Sequence, residues 1–255
     1  MKIVVKVGTS TLTYGTGRLN VRKTEELCKV LSDLKNSGNE IILVTSGAIG
    51  MGVGKLGLKT RPEDIPTKQA AAAVGQCELM YVYDKLFEEY HHTVAQILLT
   101  GDDFIHEDRH LNFTNTINRL LELGALPVVN ENDTVATDEI KVGDNDTLSA
   151  LVAKSVKADV LIILSDIDGL YTSDPHKDKT ATLISEVKVI DKAIEDLAGS
   201  AGSKLGTGGM KTKISAAKIC VEAGVDMVIT NGQRPVDLYA ILEGEKIGTK
   251  FISVK

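Results

Sequence analysis

The sequence predicts an α/β protein, a three-layer αβα sandwich built around one mostly parallel sheet with helices on both faces. Three observations point there. Short β-branched runs alternate with helix-periodic segments along the whole chain. Several of those runs are continuously apolar, as strands covered on both faces are. No internal repeat, low-complexity tract or interdomain linker breaks the order, so residues 1–255 read as a single domain. A chain of 255 residues with 43% hydrophobic content has ample material for a core.

The opening KIVVKVGTS gives a strand that stops at Gly8, followed by a polar turn of Thr9, Ser10 and Thr11. Lys6 interrupts it. A lysine near the end of a central strand is expensive to bury unless its charge is used, so Lys6 either reaches a phosphate from the carboxyl end or faces outward. Residues 21–36 place Val21, Leu27, Val30, Leu31 and Leu34 at helical spacing, and Gly38 ends that helix. Strand 41–44 runs into Thr45, Ser46 and Gly47, where backbone N–H groups can approach a ligand. Gly52, Gly54 and Gly57 then spell the dinucleotide fingerprint GxGxxG. The fingerprint fails on context: the strand ends well before Gly52, and no strand ending in an acidic ribose partner follows. No GxxxxGK[ST] pattern occurs either.

Pro66 leads into a helix over 67–90, rich in alanine and carrying Gln69 and Gln76, and a strand spans 93–99. The polar stretch 100–110 reads as a mobile loop. Its His106 and His110 are joined by no cysteine or third histidine, which favours exposed loop residues over a metal site. A helix over 110–123 ends at Gly124 and a strand covers 126–129. Next comes a loop crowded with Asn130, Glu131, Asn132, Asp133, Asp138 and Glu139, and then a helix over 144–156 whose first turn is Asp144, Asn145 and Asp146. Any one of these can cap a helix. The whole cluster exceeds what capping needs and suits a cation: an ammonium group, a lysine side chain or Mg²⁺ held through phosphates.

Strand 160–164 ends in Ser165 and Asp166, ahead of a loop with Gly169, Tyr171 and Asp174-Pro175 that is either a nucleoside contact or a plain turn cluster. Residues 199–213 hold five glycines and end in a helix start bearing Lys211 and Lys213. A phosphate cradle fits this stretch better than a flexible linker, because a charged helix start follows directly. Strand 225–229, the turn Thr230-Asn231-Gly232, a short helix near 235–242 and a last strand IGTKFI complete the chain.

Composition narrows the partners. A formal charge of -6 without a Lys/Arg run, no tryptophan and 4% aromatic residues argue against nucleic acid and leave small molecules. Cys28, Cys77 and Cys220 show neither disulfide nor zinc spacing, which fits a reducing, cytoplasmic setting. No apolar run reaches membrane-spanning length.

Five segments taken together, KVGTS, VTSGAIGMG, NENDTVATDEIKVGDND, SDIDGLYTSDP and GTGGMKTKISAA, resemble the glutamate 5-kinases of the amino acid kinase family, whose fold is carbamate kinase-like. The likeness runs from Lys2 to about Ile252. Gly8 followed by Thr9 separates it from aspartokinase-like and acetylglutamate-kinase-like chains, which have a Gly-Gly pair there. The resemblance implies ATP-dependent phosphorylation of the glutamate side-chain carboxylate, the first step toward proline. It implies that Lys6 and Lys213 neutralise the transferred group, that Gly8 and Gly47 give it backbone contacts, and that Asp146 holds both lysines. Ser46, Asp133 and Asn145 match glutamate-binding positions. Ser165, Asp166 and the run Thr207, Gly208, Gly209, Met210, Lys211, Thr212 and Lys213 match nucleotide positions, as does Lys6.

Mg²⁺ is expected on ATP oxygens and water, without dedicated protein ligands. Members form dimers or tetramers, are inhibited by proline, and hand their product to glutamyl phosphate reductase. Many continue into a small C-terminal PUA domain, and this sequence stops soon after Ile252, which puts properties that depend on that domain in doubt. The alternatives are a sibling kinase acting on another carboxylate or a carbamate, and a non-catalytic amino-acid-sensing module. A phosphorylated acceptor would demand arginines, and only Arg109 and Arg119 lie close to the acidic loop in sequence.

Overall fold

Strands that are apolar on both faces must be covered on both, and the chain does this with one sheet between two helical layers. The structure, a computed structural model, describes residues 1–253 with the exception of 15, 17, 137–143, 176 and 201–208. In chain order the elements begin with β1 Lys2–Val7, α1 Thr9–Leu12, α2 Val21–Asn36, β2 Glu40–Val44, α3 Ala48–Lys55, α4 Ile65–Glu88 and β3 Val94–Leu99. They continue with α5 Asp102–Ile105, α6 Glu107–Glu122, β4 Leu126–Glu131, α7 Asn145–Ser155, β5 Val160–Ser165 and β6 Glu186–Val187. The last are α8 Lys192–Ser200, α9 Met210–Glu222, β7 Asp226–Asn231, α10 Asp237–Leu242 and β8 Thr249–Phe251.

The strands form one sheet in the order β3-β4-β2-β1-β5-β7-β8-β6. Every pairing is parallel except β7 with β8. β8 and its parallel partner β6 therefore run opposite to the other six strands, and β8 is shorter than the IGTKFI segment predicted. Alternation along β1 sorts the two cores. Ile3, Val5 and Val7 pack with Leu27 and Leu31 of α2 and with Leu79, Tyr83 and Phe87 of α4. Val4 faces the opposite core, with Ile117 of α6, Leu148 and Val152 of α7 and Ile214 and Ala217 of α9. By the same alternation Lys6 lies on the α7 and α9 side of the sheet.

The stretch 100–110, expected to be a mobile loop, folds as α5 and the first turn of α6. Asp103 Oδ2 accepts from the Thr100 backbone N–H at 2.7 Å and its hydroxyl at 2.9 Å, which fixes the entry to α5. Glu107 and Asp108 then occupy the first turn of α6, where negative charge complements the helix dipole. The polar character that reads as a loop is the chemistry of two helix starts.

The GxGxxG segment also acquires a concrete use. A Cβ at Gly52 of α3 would lie 1.8 Å from the carbonyl oxygen of Ala71 in α4, and one at Gly75 of α4 would lie 1.7 Å from that of Ala48 in α3. The two helices cross in backbone contact, which the absent side chains alone allow. Gly75→Ala should force them apart and lower the unfolding free energy by about 1–3 kcal/mol, a typical overpacking cost; thermal unfolding of the purified variant checks this.

Candidate active site

β1 ends at the carboxyl edge of the sheet, and Lys6 sits one residue from that end. α9 starts just after the glycine run and places Lys213 in its first turn. α7 starts with Asn145 and Asp146, Asp146 being an acid where the helix dipole favours one. The three side chains meet. Lys6 Nζ lies 2.7 Å from Asp146 Oδ1, and Lys213 Nζ lies 3.1 Å from Oδ2. Asp146 is fully buried, with Lys6 8% and Lys213 5% exposed.

Thr212 donates to the same Oδ2 at 2.9 Å or to the Gly209 carbonyl at 2.8 Å. Burial pushes the Asp146 carboxyl up, but the Lys6 and Lys213 ammoniums, through charge and hydrogen bonds, outweigh it and hold the group below the usual carboxylate range. Two ammonium groups thus flank one carboxylate at the carboxyl edge. Gly8 lies against one of them: a Cβ there would stand 3.5 Å from Lys6 Nζ, in ordinary contact.

On the other side of the same edge lies a cluster of neutral amides and hydroxyls. Asn145 Nδ2 donates to the Thr45 carbonyl at 2.7 Å, Ser46 Oγ at 2.7 Å and Asn130 Oδ1 at 3.0 Å. Gly47 follows Ser46 with φ of 104°, a left-handed conformation that glycine adopts readily, and it begins α3. Asp133 is partly buried in the turn that follows β4, after Asn130 and Glu131. Asp144 caps α7 through the Thr147 N–H at 2.8 Å, so of the three polar residues that open this helix one caps it, Asn145 joins the amide cluster and Asp146 takes the lysines.

Farther along the edge, Ser165 ends β5 and its hydroxyl donates to the exposed Asp166 carboxylate at 3.1 Å. Gly209 caps α9 and Met210 is buried behind it. Lys211 is exposed and faces a surface hollow between α8 and α9 that Glu195 and Lys218 also line, so it does not converge with Lys213. Thr207 and Gly208 lie outside the described residues, as do Asp138 and Glu139. His110 Nε2 is 2.8 Å from Ser155 Oγ, and its ring packs edge-on against Phe113, which is a packing role. Among the described residues no three His, Cys, Asp or Glu side chains cluster as a metal cage, and no helix is long and apolar enough to cross a membrane.

The family model described as the amino acid kinase family matches residues 1–231. The chain belongs to the amino acid kinase family. Glutamate 5-kinase of Clostridium perfringens is 54% identical over 258 residues, covering 100% of this chain and 96% of that protein. Glutamate 5-kinase of Thermoanaerobacter sp. is 54% identical over 255 residues, covering 100% of this chain and 68% of its own longer length. Among solved structures, carbamate kinase from Giardia lamblia bound to AMP-PNP superposes with a TM-score of 0.72 at 15% identity, over 99% of this chain and 98% of that one. At that identity the likeness shows the shared fold.

In this amino acid kinase, sequence reasoning missed the structural partners behind the site. Thr45 Oγ1 lies 2.8 Å from the hydroxyl of the fully buried Tyr83 on α4. Asn130, 1% exposed, and Gln76, 7% exposed, are bonded at 2.9 Å. The available signal was polarity in apolar company: an asparagine closing the run LPVV, and a glutamine seven residues from a tyrosine on one helix face. Asp146, held below its unfolded value, contributes stability that is fully present above about pH 4 and lost as pH falls through the folded-state value. Asp146→Asn should therefore be less stable at neutral pH by about 3–5 kcal/mol, the cost of breaking a buried pair. That deficit should shrink as the pH is lowered below about 4, which denaturant unfolding across pH would measure.

Proposed function

We propose that this amino acid kinase transfers the γ-phosphoryl group of ATP to the side-chain carboxylate of L-glutamate, giving L-glutamyl 5-phosphate and ADP, the first step of proline biosynthesis. The single observation behind this is that Lys6 and Lys213 share the Asp146 carboxylate at the carboxyl edge of the sheet, beside the Ser46, Asn130 and Asn145 cluster. The names of relatives at 54% identity support the acceptor.

The chemistry asks little beyond that arrangement. A glutamate carboxylate is ionised at neutral pH, so no general base has to create the nucleophile. One of its oxygens forms a bond to the γ-phosphorus while the bond from phosphorus to the bridging oxygen breaks, and that electron pair leaves on ADP. Two anions must be aligned and the charge on the passing phosphoryl group neutralised. Lys6 and Lys213 supply the positive charge. Asp146 fixes both ammoniums in advance, so that no reorganisation is needed during transfer. Backbone N–H groups at Gly8 and Gly47 face the same group.

Ser46 and Asn145 hold the substrate through hydrogen bonds and Asp133 through its α-ammonium, a charge-assisted contact. Ser165, Asp166 and the run from Thr207 to Lys213, apart from Lys211, hold the nucleotide. The scattered acids of this edge fit Mg²⁺ bound mainly by phosphate oxygens and water, and when bound it supplies further charge neutralisation. Proline as a feedback inhibitor, assembly as a homo-oligomer, a cytoplasmic location and hand-over to glutamyl phosphate reductase belong to the same proposal.

Incubation with glutamate, MgATP and hydroxylamine should yield glutamyl hydroxamate; its absence would overturn the assignment. Lys213→Ala should lower kcat by roughly 10²- to 10³-fold, as loss of a transition-state contact does, with glutamate binding by calorimetry little changed. Asp133→Ala should raise the glutamate KM roughly tenfold to a hundredfold, from the worth of a charged hydrogen bond. Its ATP KM should hold, and equal rises in both would contradict the ammonium contact.

A further inference from the structure

Behind the amide cluster runs a chain of carboxamides that ends far from the phosphoryl site. Asn145 Nδ2 donates to Asn130 Oδ1 at 3.0 Å, Asn130 Nδ2 donates to Gln76 Oε1 at 2.9 Å, and Gln76 Nε2 donates to Gln96 Oε1 on the edge strand β3 at 2.9 Å. The direction of the chain is not arbitrary, because backbone groups fix it twice. The Thr45 carbonyl can only accept, so Asn145 must turn its NH₂ toward it, at 2.7 Å. The Glu131 backbone N–H can only donate, so Asn130 must turn Oδ1 toward it, at 2.9 Å. Asn130 then presents its NH₂ to α4, and the group there has to be an acceptor.

We infer that Gln76 is a positioning residue for recognition of the acceptor amino acid, acting through Asn130 on Asn145 and Ser46. This rests on the glutamate kinase reading and says how its substrate pocket is set. With Asn130 Oδ1 held by the Glu131 N–H, the Asn130 NH₂ points to α4 and would be buried unpaired if no acceptor stood there. Gln76 is that acceptor. With Asn130 locked, the two hydrogens of Asn145 Nδ2 serve three acceptors, including Ser46 Oγ at 2.7 Å.

The consequence for the substrate is specific. An amide nitrogen accepts nothing, so Ser46 must be the acceptor in that bond, and its own hydrogen remains to be given to an anion such as a substrate carboxylate. Asn145 Oδ1 remains as the acceptor end of its amide, suited to a substrate ammonium. Gln76 thus holds in place the amide on which Asn145 rests, although it is one layer removed from the pocket.

Two variants test this with initial rates over glutamate and ATP. Gln76→Leu keeps the volume and removes the acceptor; the glutamate KM should rise about tenfold or more, the loss expected for a buried hydrogen bond left unmade, with the ATP KM and kcat each changed less than about threefold. Gln76→Glu keeps an acceptor for the Asn130 NH₂, and Gln96 can turn its amide to donate where it now accepts. Its glutamate KM should therefore stay well below that of Gln76→Leu, within about threefold of the unsubstituted chain.

A Gln76→Leu protein with unchanged glutamate KM would overturn the inference. So would proportional rises in both KM values with a lowered Tm, the mark of general loosening. If Gln76→Leu does not fold, a Gln76→Glu protein whose glutamate KM rises about tenfold or more, although the acceptor is retained, would do the same. Failure of the unsubstituted chain to consume ATP with glutamate would instead sink the substrate assignment itself.

Discussion

One carboxylate shared by two ammonium groups holds the candidate site together. Lys6 and Lys213 come from opposite ends of the chain, and Asp146 from its middle, so the contact can form only after β1, α7 and α9 have packed. None of the three could be buried alone: an isolated charge of that kind would neutralise or drag in water. Together they are tolerated, with both ammoniums held at the edge of the sheet. The same contact is therefore both a product of the fold and the source of its electrostatics.

The parallel sheet makes this geometry available. β1, β2, β4 and β5 point the same way, so their carboxyl ends deliver Lys6, Thr45, Asn130 and Ser165 to one edge. Alternation then divides the labour. Lys6 falls on the face of α7 and α9, whereas Asn130 reaches α4 on the opposite face. The lysine pair and the amide cluster occupy opposite sides of one edge, and α7 spans both because Asn145 and Asp146 are consecutive.

Much of this was legible in the sequence, and for identifiable reasons. A lysine in an apolar strand, a glycine run ending in a charged helix start, and too many acids and amides for one cap each violate a local rule, and residues that do so tend to mark function. The fold was legible because continuous apolar runs and helical periodicity are strong signals. Residues 100–110 were misjudged because helix starts and loops share the same polar residues, and only the Thr100 to Asp103 bonds decide between them. Gln76 and Tyr83 gave only the weak sign of polar groups spaced along one helix face, which does not say that they touch Asn130 and Thr45.

The crossing of α3 and α4 has a consequence for how the pocket can change. Where side chains separate two helices, a smaller or larger residue can retune the gap by fractions of an ångström. At Gly52 and Gly75 the main chains themselves abut, leaving nothing to trim. The wall that begins at Gly47 and the helix bearing Gln76 and Tyr83 therefore behave as one rigid body. Room for a bulkier acceptor can be gained only by shifting the pair together, a concerted step beyond the reach of single substitutions there.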